Sequence, residues 1–367
     1  MRLGTCIALE LAVAAAALVG LWIGVQHAAD LAGPYFHARE AAAATSASRP
    51  IHSEPAIAAP LALPASHLPV APPPIHNVFG APDGELLATI GTTKVARLKL
   101  NHGGTSLSLR LDFASGGRAA FKPEQTHTQS DPRREIAAYR IDRLLGLGHV
   151  PPAKPAAFRI EELLEAAEPR HRRFIGERLA EEAIARDGVL HGEVSWWVPD
   201  IKLAKLGPFN VDERDGMEVW ATYLQPGERI PPALEPMVQQ LSAIILFDVL
   251  IDNPDRWTGS NTMASPDNKV LYFMDNTLSF SLFELGHDQN LGALRKIAVF
   301  PKKLVERLRA LTYETVVAAI ELSDDGGLGA LLSPEQIRAM LARRDYIIRY
   351  IEGCIAQHGE DAVLGFP

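Results

Sequence analysis

The chain has 367 residues, of which 47% are hydrophobic and 22% are charged, and its formal net charge is -8. This size and composition fit one large two-lobed domain, or two small ones, with a real hydrophobic core. The acidic balance argues against the basic face of a nucleic-acid-binding protein, so no nucleic-acid partner is expected. The two cysteines, Cys6 and Cys354, are not expected to pair, and the fold must stand without disulfides.

The N-terminal segment, residues 1–30, contains an apolar run at Ile7–Val25 that is preceded by Arg2. About 19 helical residues nearly span the roughly 30 Å hydrocarbon core of a membrane. The positive charge before the run places the rest of the chain outside the cytoplasm. We therefore predict a signal anchor that makes the membrane a partner, or a signal peptide whose cleavage releases a secreted protein. A buried helix is the remaining alternative.

Residues 31–76 form an Ala- and Pro-rich segment in which eight prolines fall between Pro50 and Pro74. Proline removes backbone donors and interrupts both helices and sheets. We expect an extended linker that holds the folded part of the chain away from the membrane.

Alternation and turn residues predict three strands in the next part of the chain, which starts near Asn77. Thr93–Leu100 and Ser106–Phe113 alternate and are joined by the turn sequence NHGGTS, and Arg118–Lys122 follows a Gly-Gly pair. The helical spacing of apolar residues then predicts a helix over Arg134–Gly148.

The remaining part of the chain is predicted to be mainly helical. Residues 159–187 have the pattern of a charged surface helix, and Gly192–Ile201 that of a strand followed by a turn. Further helices are predicted over residues 234–251, 301–322 and 334–357, with a short hairpin at Met263–Met274. A β-rich part with one helix, followed by a helical part, predicts an α+β fold in two lobes, residues 77–205 and 206–367.

Two hydrophobic segments each end in a short acidic loop. The sequence LIDNPDRW spans Leu250–Trp257, and MDN spans Met274–Asn276. Proline at position 254 disfavours helix for Asn253, so Asp255 follows a buried helix, whereas Asp275 follows a short apolar strand. Phosphoryl transfer uses two rigidly held carboxylates, one to accept the hydroxyl proton and one to bind a divalent ion. The alternative is that both acids only cap or begin turns.

A second group of candidate residues could bind a cofactor. It contains Lys122, Glu135, Gly103 and Gly104. A lysine that closes an apolar strand either extends to solvent or faces a cleft. Glu135 suits the first turn of a helix electrostatically, although kinases also pair a strand lysine with a helix glutamate to hold nucleotide phosphates. The two glycines either let backbone amides approach a phosphate or only make the turn.

Other signatures of catalysis are absent from the sequence. It contains no His-Glu-x-x-His, no Gly-x-Ser-x-Gly and no Gly-x-Gly-x-x-Gly motif. Trp196 and Trp197 are predicted to lie in the core rather than to form a ligand platform. His287 and Asp288 are predicted to lie in a surface loop.

The order of five segments is more informative than any one of them. The segments are FKP, EIAAYRIDRLLGLGHVPP, WVPDIKLAK, LFDVLIDNPDRW and LYFMDN. From about Val95 to Leu311, this order resembles the secretory-pathway kinase family that includes the Golgi casein kinase, the glycosaminoglycan xylosylkinase and four-jointed. The resemblance implies an atypical protein-kinase-like fold with a β-rich N-lobe and a helical C-lobe.

The resemblance also implies a role for each candidate residue. Lys122 would contact the phosphates of ATP, and Glu135 would pair with Lys122 or help to hold the metal. Asp255 would be the catalytic aspartate and Asp275 the metal-binding aspartate. Asn261 is a further candidate metal ligand, although it lies six residues after Asp255 and a kinase catalytic loop places its asparagine at five. ATP and Mn²⁺ or Mg²⁺ would be the cofactors, and a protein or glycan would be the acceptor.

Some positions depart from the family pattern. Asp252 stands where the family usually has glycine, and Thr277 follows the Asp-Asn pair where a glycine is usual. These departures keep open a pseudokinase or binding module that activates a partner, and membrane tethering keeps open a lipid or small-metabolite kinase. The Ala-rich, Cys-poor composition predicts a bacterial envelope protein.

Overall fold

The structure is a computed structural model that describes residues 77–101, 106–258 and 261–367. The predicted anchor and linker, and with them Gly103 and Gly104, lie outside the described residues. Within the described ranges, no helix combines the length and the hydropathy needed to cross a membrane. The proposed bounds of the two lobes stay a prediction.

A sheet dominates the N-terminal part of the described chain. Its strands are β1 (Val95–Leu100), β2 (Leu109–Phe113), β3 (Arg118–Pro123), β4 (Ala153–Arg159), β5 (Ala185–Arg186) and β6 (Val189–Trp196), and its helices are α1 (Asp83–Ala88), α2 (Pro132–Leu144), α3 (Ile160–Ala166) and α4 (Pro169–Glu182). The strand order is β1-β2-β3-β6-β4, with β5 added to β6. This order places β3 in the middle of the sheet. All neighbouring strands run antiparallel.

The register of β3 against β6 sets the geometry of the site. Lys122 is directly opposite Glu193, and Pro123 is opposite Gly192. Opposed residues of an antiparallel pair have their side chains on the same face of the sheet. A Cβ atom on Gly192 would lie 2.3 Å from the carbonyl oxygen of Lys122, so this close approach of the two strands requires glycine.

Helix α2 has clear start and stop signals. The carboxylate of Asp131 accepts a hydrogen bond of 3.1 Å from the backbone N–H of Arg133, and Pro132 is the first helical residue. In the last turn of α2, the buried carboxylate of Asp142 accepts from the backbone N–H groups of Gly148 at 2.9 Å and His149 at 3.0 Å, which follow the helix. The Asp-Arg pair of the family-like motif therefore contributes a structural aspartate that holds the turn after α2.

The C-terminal part is mainly helical and contains the larger core. Its helices are α5 (Arg214–Tyr223), α6 (Glu235–Ile251), α7 (Asp288–Leu294), α8 (Lys302–Ala310), α9 (Tyr313–Ile320), α10 (Pro334–His358) and α11 (Glu360–Val363), and its short strands are β7 (Lys202–Leu203), β8 (Lys205–Leu206), β9 (Phe209–Asn210), β10 (Met263–Ala264) and β11 (Leu271–Tyr272). Every residue from Leu241 to Ile251 is buried, which makes α6 the centre of this core. The helix ends at Asp252, whose φ of +56° turns the chain away from the helix axis.

The α+β prediction is confirmed, while several element boundaries differ. The charged segment 159–187 contains two helices rather than one, because Pro169 begins α4 as a new helix. Similarly, Thr312 divides the predicted helix 301–322, since its side chain caps α9. Strand β4 and helix α5 were not predicted. Strand β4 contains Pro155 and follows two further prolines, and α5 is short, so neither has a strong periodic pattern.

Candidate active site

Asn253 joins the two acidic loops. Its side-chain amide donates to the carbonyl oxygen of Asp275 at 3.1 Å and to Oδ1 of Asn276 at 3.2 Å. Its own Oδ1 accepts from the backbone N–H of Asp255 at 3.2 Å. Asn253 is fully buried, so these bonds are shielded from water and fix the loop of Asp255 against the loop of Asp275.

Arg256 also holds the loops of Asp255 and Asp275 together. Its guanidinium donates to the carboxylate of Asp248 at 3.1 Å and to Oδ1 of Asn276 at 3.0 Å. It also donates to the carbonyl oxygens of Met274 and Asn261. Burial raises the pKa of Asp248 to about 6 even though the positive charge of Arg256 opposes this shift. The ion-pair partner of Arg256 is therefore Asp248.

Asp255 and Asn261 lie in one tight loop after α6. The hydroxyl of Thr258 donates to Oδ1 of Asp255 at 2.8 Å. The side-chain amide of Asn261 donates to the carbonyl oxygen of Asp255 at 2.9 Å and to Oγ1 of Thr258 at 3.3 Å. Asp255 itself is half-buried, so its carboxylate remains open to an approaching molecule.

Lys122 reaches from the middle of the sheet to Asp275. Its Nζ atom lies 2.7 Å from Oδ1 of Asp275, which also accepts from the hydroxyl of Thr277 at 3.2 Å. The charge of Lys122 is the main reason why the pKa of Asp275 is lowered. Burial alone would lower the pKa of Lys122, but the charges of Asp275, Glu135 and Glu193 raise it overall. The lysine is thus charged in a nearly dry site.

Glu135 binds the Asp-Asn segment rather than capping its own helix. One oxygen accepts from the backbone N–H of Asn276 at 2.6 Å, and the other accepts from the side-chain amide of Asn276 at 3.0 Å. Burial raises the pKa of Glu135, and the charge of Lys122 opposes the shift. Since Asp131 caps α2, the position of Glu135 in the first turn is explained by this contact across the site.

Glu193 is a site residue that the sequence reasoning missed. Its side chain is buried and accepts from the hydroxyl of Ser195 at 2.7 Å. Burial, reinforced by the charge of Glu135, raises its pKa to about 8 although Lys122 favours the ionised form. A glutamate in the middle of a predicted strand was a usable signal, but its importance depends on the register that places it opposite Lys122.

Lys122, Glu135, Glu193 and Asp275 line a cleft of about 320 Å³, whose lining does not include Asp255 or Asn261. Residues along the cleft include Asn101, Ser108, Lys122, Glu135, Glu193, Trp196, Trp197 and Asp275. The prediction that Trp196 and Trp197 lie in the core rather than at a ligand site is wrong for Trp197 and holds only in part for Trp196, which packs against the core of the sheet. Trp196 is the last residue of β6 and Trp197 follows it, and both are half-buried beside the cleft.

The segment after Asp275 is tethered by Asp252, the residue that departs from the family pattern. The carboxylate of Asp252 accepts from the backbone N–H and ring Nδ1 of His287, both at 2.8 Å, from Asn290 at 3.1 Å and from the hydroxyl of Ser281. The prediction of a surface loop at His287 and Asp288 is confirmed for the surface position, since Asp288 is exposed, but not for the loop at Asp288. His287 is held by Asp252, and Asp288 begins α7.

Comparison with known proteins gives one consistent group. A family model described as Golgi casein kinase, C-terminal, Fam20 matches residues 178–363. Human glycosaminoglycan xylosylkinase is 24% identical over 318 residues, which cover 77% of this chain and 77% of that protein. Human pseudokinase FAM20A is 24% identical over 341 residues, which cover 80% of this chain and 61% of that protein.

A solved structure supports the same grouping at the level of the fold. The Golgi casein kinase with Mn and ADP bound is 18% identical and aligns with a TM-score of 0.59 over 77% of this chain and 78% of that one. The likeness confirms the two-lobed kinase-like fold that the order of motifs predicted.

Proposed function

This chain belongs to the Golgi casein kinase (Fam20) family, and we propose from this premise that it is an ATP-dependent kinase. It transfers the γ-phosphate to a hydroxyl group of a protein or a glycan outside the cytoplasm. The observation that carries the proposal is the convergence of Lys122, Asp275 and the Asp255 loop through the contacts of Lys122 and Asn253. Three separate parts of the chain supply the three charged groups that phosphoryl transfer uses.

Lys122 is the group that we assign to the nucleotide phosphates. Its ammonium lies in the cleft and is surrounded by carboxylates that keep it protonated. A lysine that is charged and shielded from water attracts a phosphate more strongly than an exposed one. Gly103 and Gly104, in the connection between β1 and β2, are proposed to bring backbone amides towards the same phosphates.

The residues fit a divalent cation whose coordination is completed by water or by the phosphates of a nucleotide. Among the described residues, no group of three or more His, Cys, Asp or Glu side chains could hold a metal by itself. Magnesium sites of kinases typically use one or two carboxylates and complete the coordination with phosphate oxygens and water. The side chain of Asp275 is 55% exposed and is the donor that we assign, with Asn261 as a further candidate. Glu135 could join them only by giving up a hydrogen bond from Asn276. Such an ion would neutralise phosphate charge as it develops.

Asp255 is assigned to the acceptor hydroxyl. Its carboxylate accepts the proton as the hydroxyl oxygen attacks the γ-phosphorus atom and ADP leaves. The hydrogen bond that Thr258 donates holds this carboxylate in place, and the bond that Asn253 accepts from the N–H of Asp255 holds its backbone. Because both loops are tied together through Asn253, the proton acceptor keeps a fixed position relative to Asp275.

A pseudokinase that activates a partner is the second candidate. The relatives include a pseudokinase that matches the chain as well as the xylosylkinase does. In addition, Lys122 is neutralised by Asp275 rather than left free for phosphate. This candidate predicts nucleotide binding without transfer.

The experiment uses the purified full chain with γ-labelled ATP and either Mn²⁺ or Mg²⁺. Phosphate transfer to a panel of proteins and glycans is followed beside nucleotide affinity, with Asp255→Asn as the variant that keeps size but removes the proton acceptor. Metal-dependent transfer that Asp255→Asn abolishes, with nucleotide affinity retained, is the expected result. Nucleotide binding with no transfer to any acceptor would favour the pseudokinase, and transfer that survives in Asp255→Asn would refute the assigned role.

The location outside the cytoplasm rests on the N-terminal apolar run and on the family. We propose that residues 1–30 anchor the chain in a membrane or direct its secretion. Protease treatment of intact cells should digest residues 77–367 from outside, whereas an internal location would protect them.

A further inference from the structure

Glu193 is a third carboxylate near Lys122, after Asp275 and Glu135. The proposed phosphate transfer gives Glu193 no role. Only 1% of the residue is exposed, yet it lies along the cleft with Lys122. Burying a carboxylate with weak compensation is costly, so its presence calls for a partner. The residue directly opposite it in the sheet is Lys122.

Lys122 and a divalent cation compete for Asp275. The ammonium is 2.7 Å from Oδ1 of Asp275, which is the carboxylate assigned to the cation. A doubly charged ion at Asp275 would repel the ammonium at this separation. Before a nucleotide supplies its phosphates, loading the site with metal therefore requires Lys122 to find another anionic partner in the protein.

Glu135 is poorly placed to become that partner. Both of its oxygens already accept hydrogen bonds from Asn276, at 2.6 and 3.0 Å. Turning Glu135 towards the lysine would leave the buried backbone N–H of Asn276 without an acceptor and its side-chain amide with the carbonyl of Phe273 alone. It would also loosen the segment that carries Asp275.

Glu193 has no such commitment. Within the described residues, the hydrogen bond that it accepts comes from the hydroxyl of Ser195, two residues along the same strand. Exchanging this neutral donor for an ammonium would strengthen the contact, because charge-assisted hydrogen bonds are roughly twice as strong as neutral ones. When Glu193 is ionised, its charge acts on Lys122 in the present arrangement and raises the pKa of the lysine.

We propose that Glu193 is the positioning residue that receives Lys122 when Asp275 binds a divalent cation. The lysine is then held by the neighbouring strand β6 of its own sheet, and Glu135 remains on Asn276. In protein kinases the strand lysine is instead held by a glutamate of a helix. The inference rests on the proposed function, because it assigns Asp275 to the metal.

The proposal predicts how Glu193 and Lys122 are coupled in metal binding. With the full chain and Mn²⁺ alone as the probe, free Mn²⁺ is measured by electron paramagnetic resonance above pH 8, where Glu193 is ionised. Glu193→Gln should weaken Mn²⁺ binding about 10-fold, since Lys122 then stays on Asp275. In a Lys122→Met background no ammonium competes, and Glu193→Gln should change the affinity less than about 2-fold. The coupling is the difference between the two effects.

Three controls separate this role from simpler ones. Glu161→Gln makes the same charge change at an exposed position on α3 and should leave Mn²⁺ affinity unchanged. Glu193→Asp keeps the charge but shortens the reach, and should fall between the wild type and Glu193→Gln. Thermal unfolding of each variant identifies any that does not fold, in which case Glu193→Asp replaces Glu193→Gln in the cycle.

An equal loss of affinity in both backgrounds would mean that Glu193 acts on the ion directly, and it would overturn the proposal. No loss in either background would overturn it as well. Phosphate transfer by the wild type is measured alongside. Normal transfer without coupling removes only the role of Glu193, whereas a wild type that binds neither Mn²⁺ nor ATP removes the proposed function too.

Discussion

The ammonium group of Lys122 lies 2.7 Å from a carboxylate oxygen of Asp275, although 153 residues separate them in the chain. Lys122 comes from the central strand of the sheet, and Asp275 follows a two-strand hairpin of the helical part. Their contact is the point at which the two parts of the chain share a charged site. The predictions below test this site and the buried polar groups that support it.

Asp275→Asn should lower the rate of phosphate transfer by at least about 10²-fold, because it removes both the counter-charge of Lys122 and the proposed metal donor. Initial rates at saturating ATP and Mn²⁺ measure the effect. Asp267→Asn is the matched control, because Asp267 is an exposed acid in the turn of the same hairpin. An Asp275→Asn variant that keeps more than about a tenth of the wild-type rate would argue against this site.

Asn253→Ala should destabilise the protein and slow transfer together. The substitution leaves the carbonyl of Asp275 and the N–H of Asp255 without their partner, and each buried unpaired group costs about 1–3 kcal/mol. Urea unfolding and transfer rates are measured on the same preparation. If the loops are tied together as described, both quantities fall, whereas a stable variant with normal transfer would show that Asn253 is dispensable.

Arg256→Met should lower the free energy of unfolding by about 3–5 kcal/mol, since it leaves the buried Asp248 without its counter-charge. Adding Asp248→Leu should recover part of this loss. The free energy of unfolding is measured with urea at pH 5 and pH 8. The single variant should lose less of it at pH 5, because Asp248 is more readily protonated there. Arg338→Met, at an exposed pair of α10, should change little. Equal stability of the single and double variants would contradict the pairing.

Glu193→Gln should become increasingly more stable than the wild type as the pH rises. The pKa of Glu193 is about 8 in the folded protein and 4.5 ordinarily, so between these values the folded state binds more protons than the unfolded state. The contribution of the Glu193 titration to wild-type stability is therefore lost as the pH rises through this range, and this loss is complete above pH 8. The glutamine variant lacks this titration.

Denaturant unfolding at pH 5, 7 and 9 measures the difference between Glu193→Gln and the wild type. We expect the variant to gain about 1 kcal/mol or more relative to the wild type between pH 5 and pH 9. A constant difference across this range would mean that Glu193 titrates normally in the folded protein.

Much of the fold followed from local patterns. Alternation predicted β1, β2 and β3, and the long apolar run with Pro254 after it predicted α6 and the loop that carries Asp255. The order of the motifs also predicted the kinase-like fold that the comparisons confirm. These features depend on the residues next to them in the chain, so the sequence alone contained the information.

The sequence by itself therefore determined many of the elements, their order and the positions of Lys122, Glu135, Asp255 and Asp275. Only the tertiary structure decided which of these groups meet. Strand register places Glu193 opposite Lys122, and the junction of two loops makes Asn253 their link. The tertiary structure also directs Glu135 to Asn276 instead of to Lys122. Partners distant in the chain are selected by topology and register, and no local pattern of residue types encodes that selection.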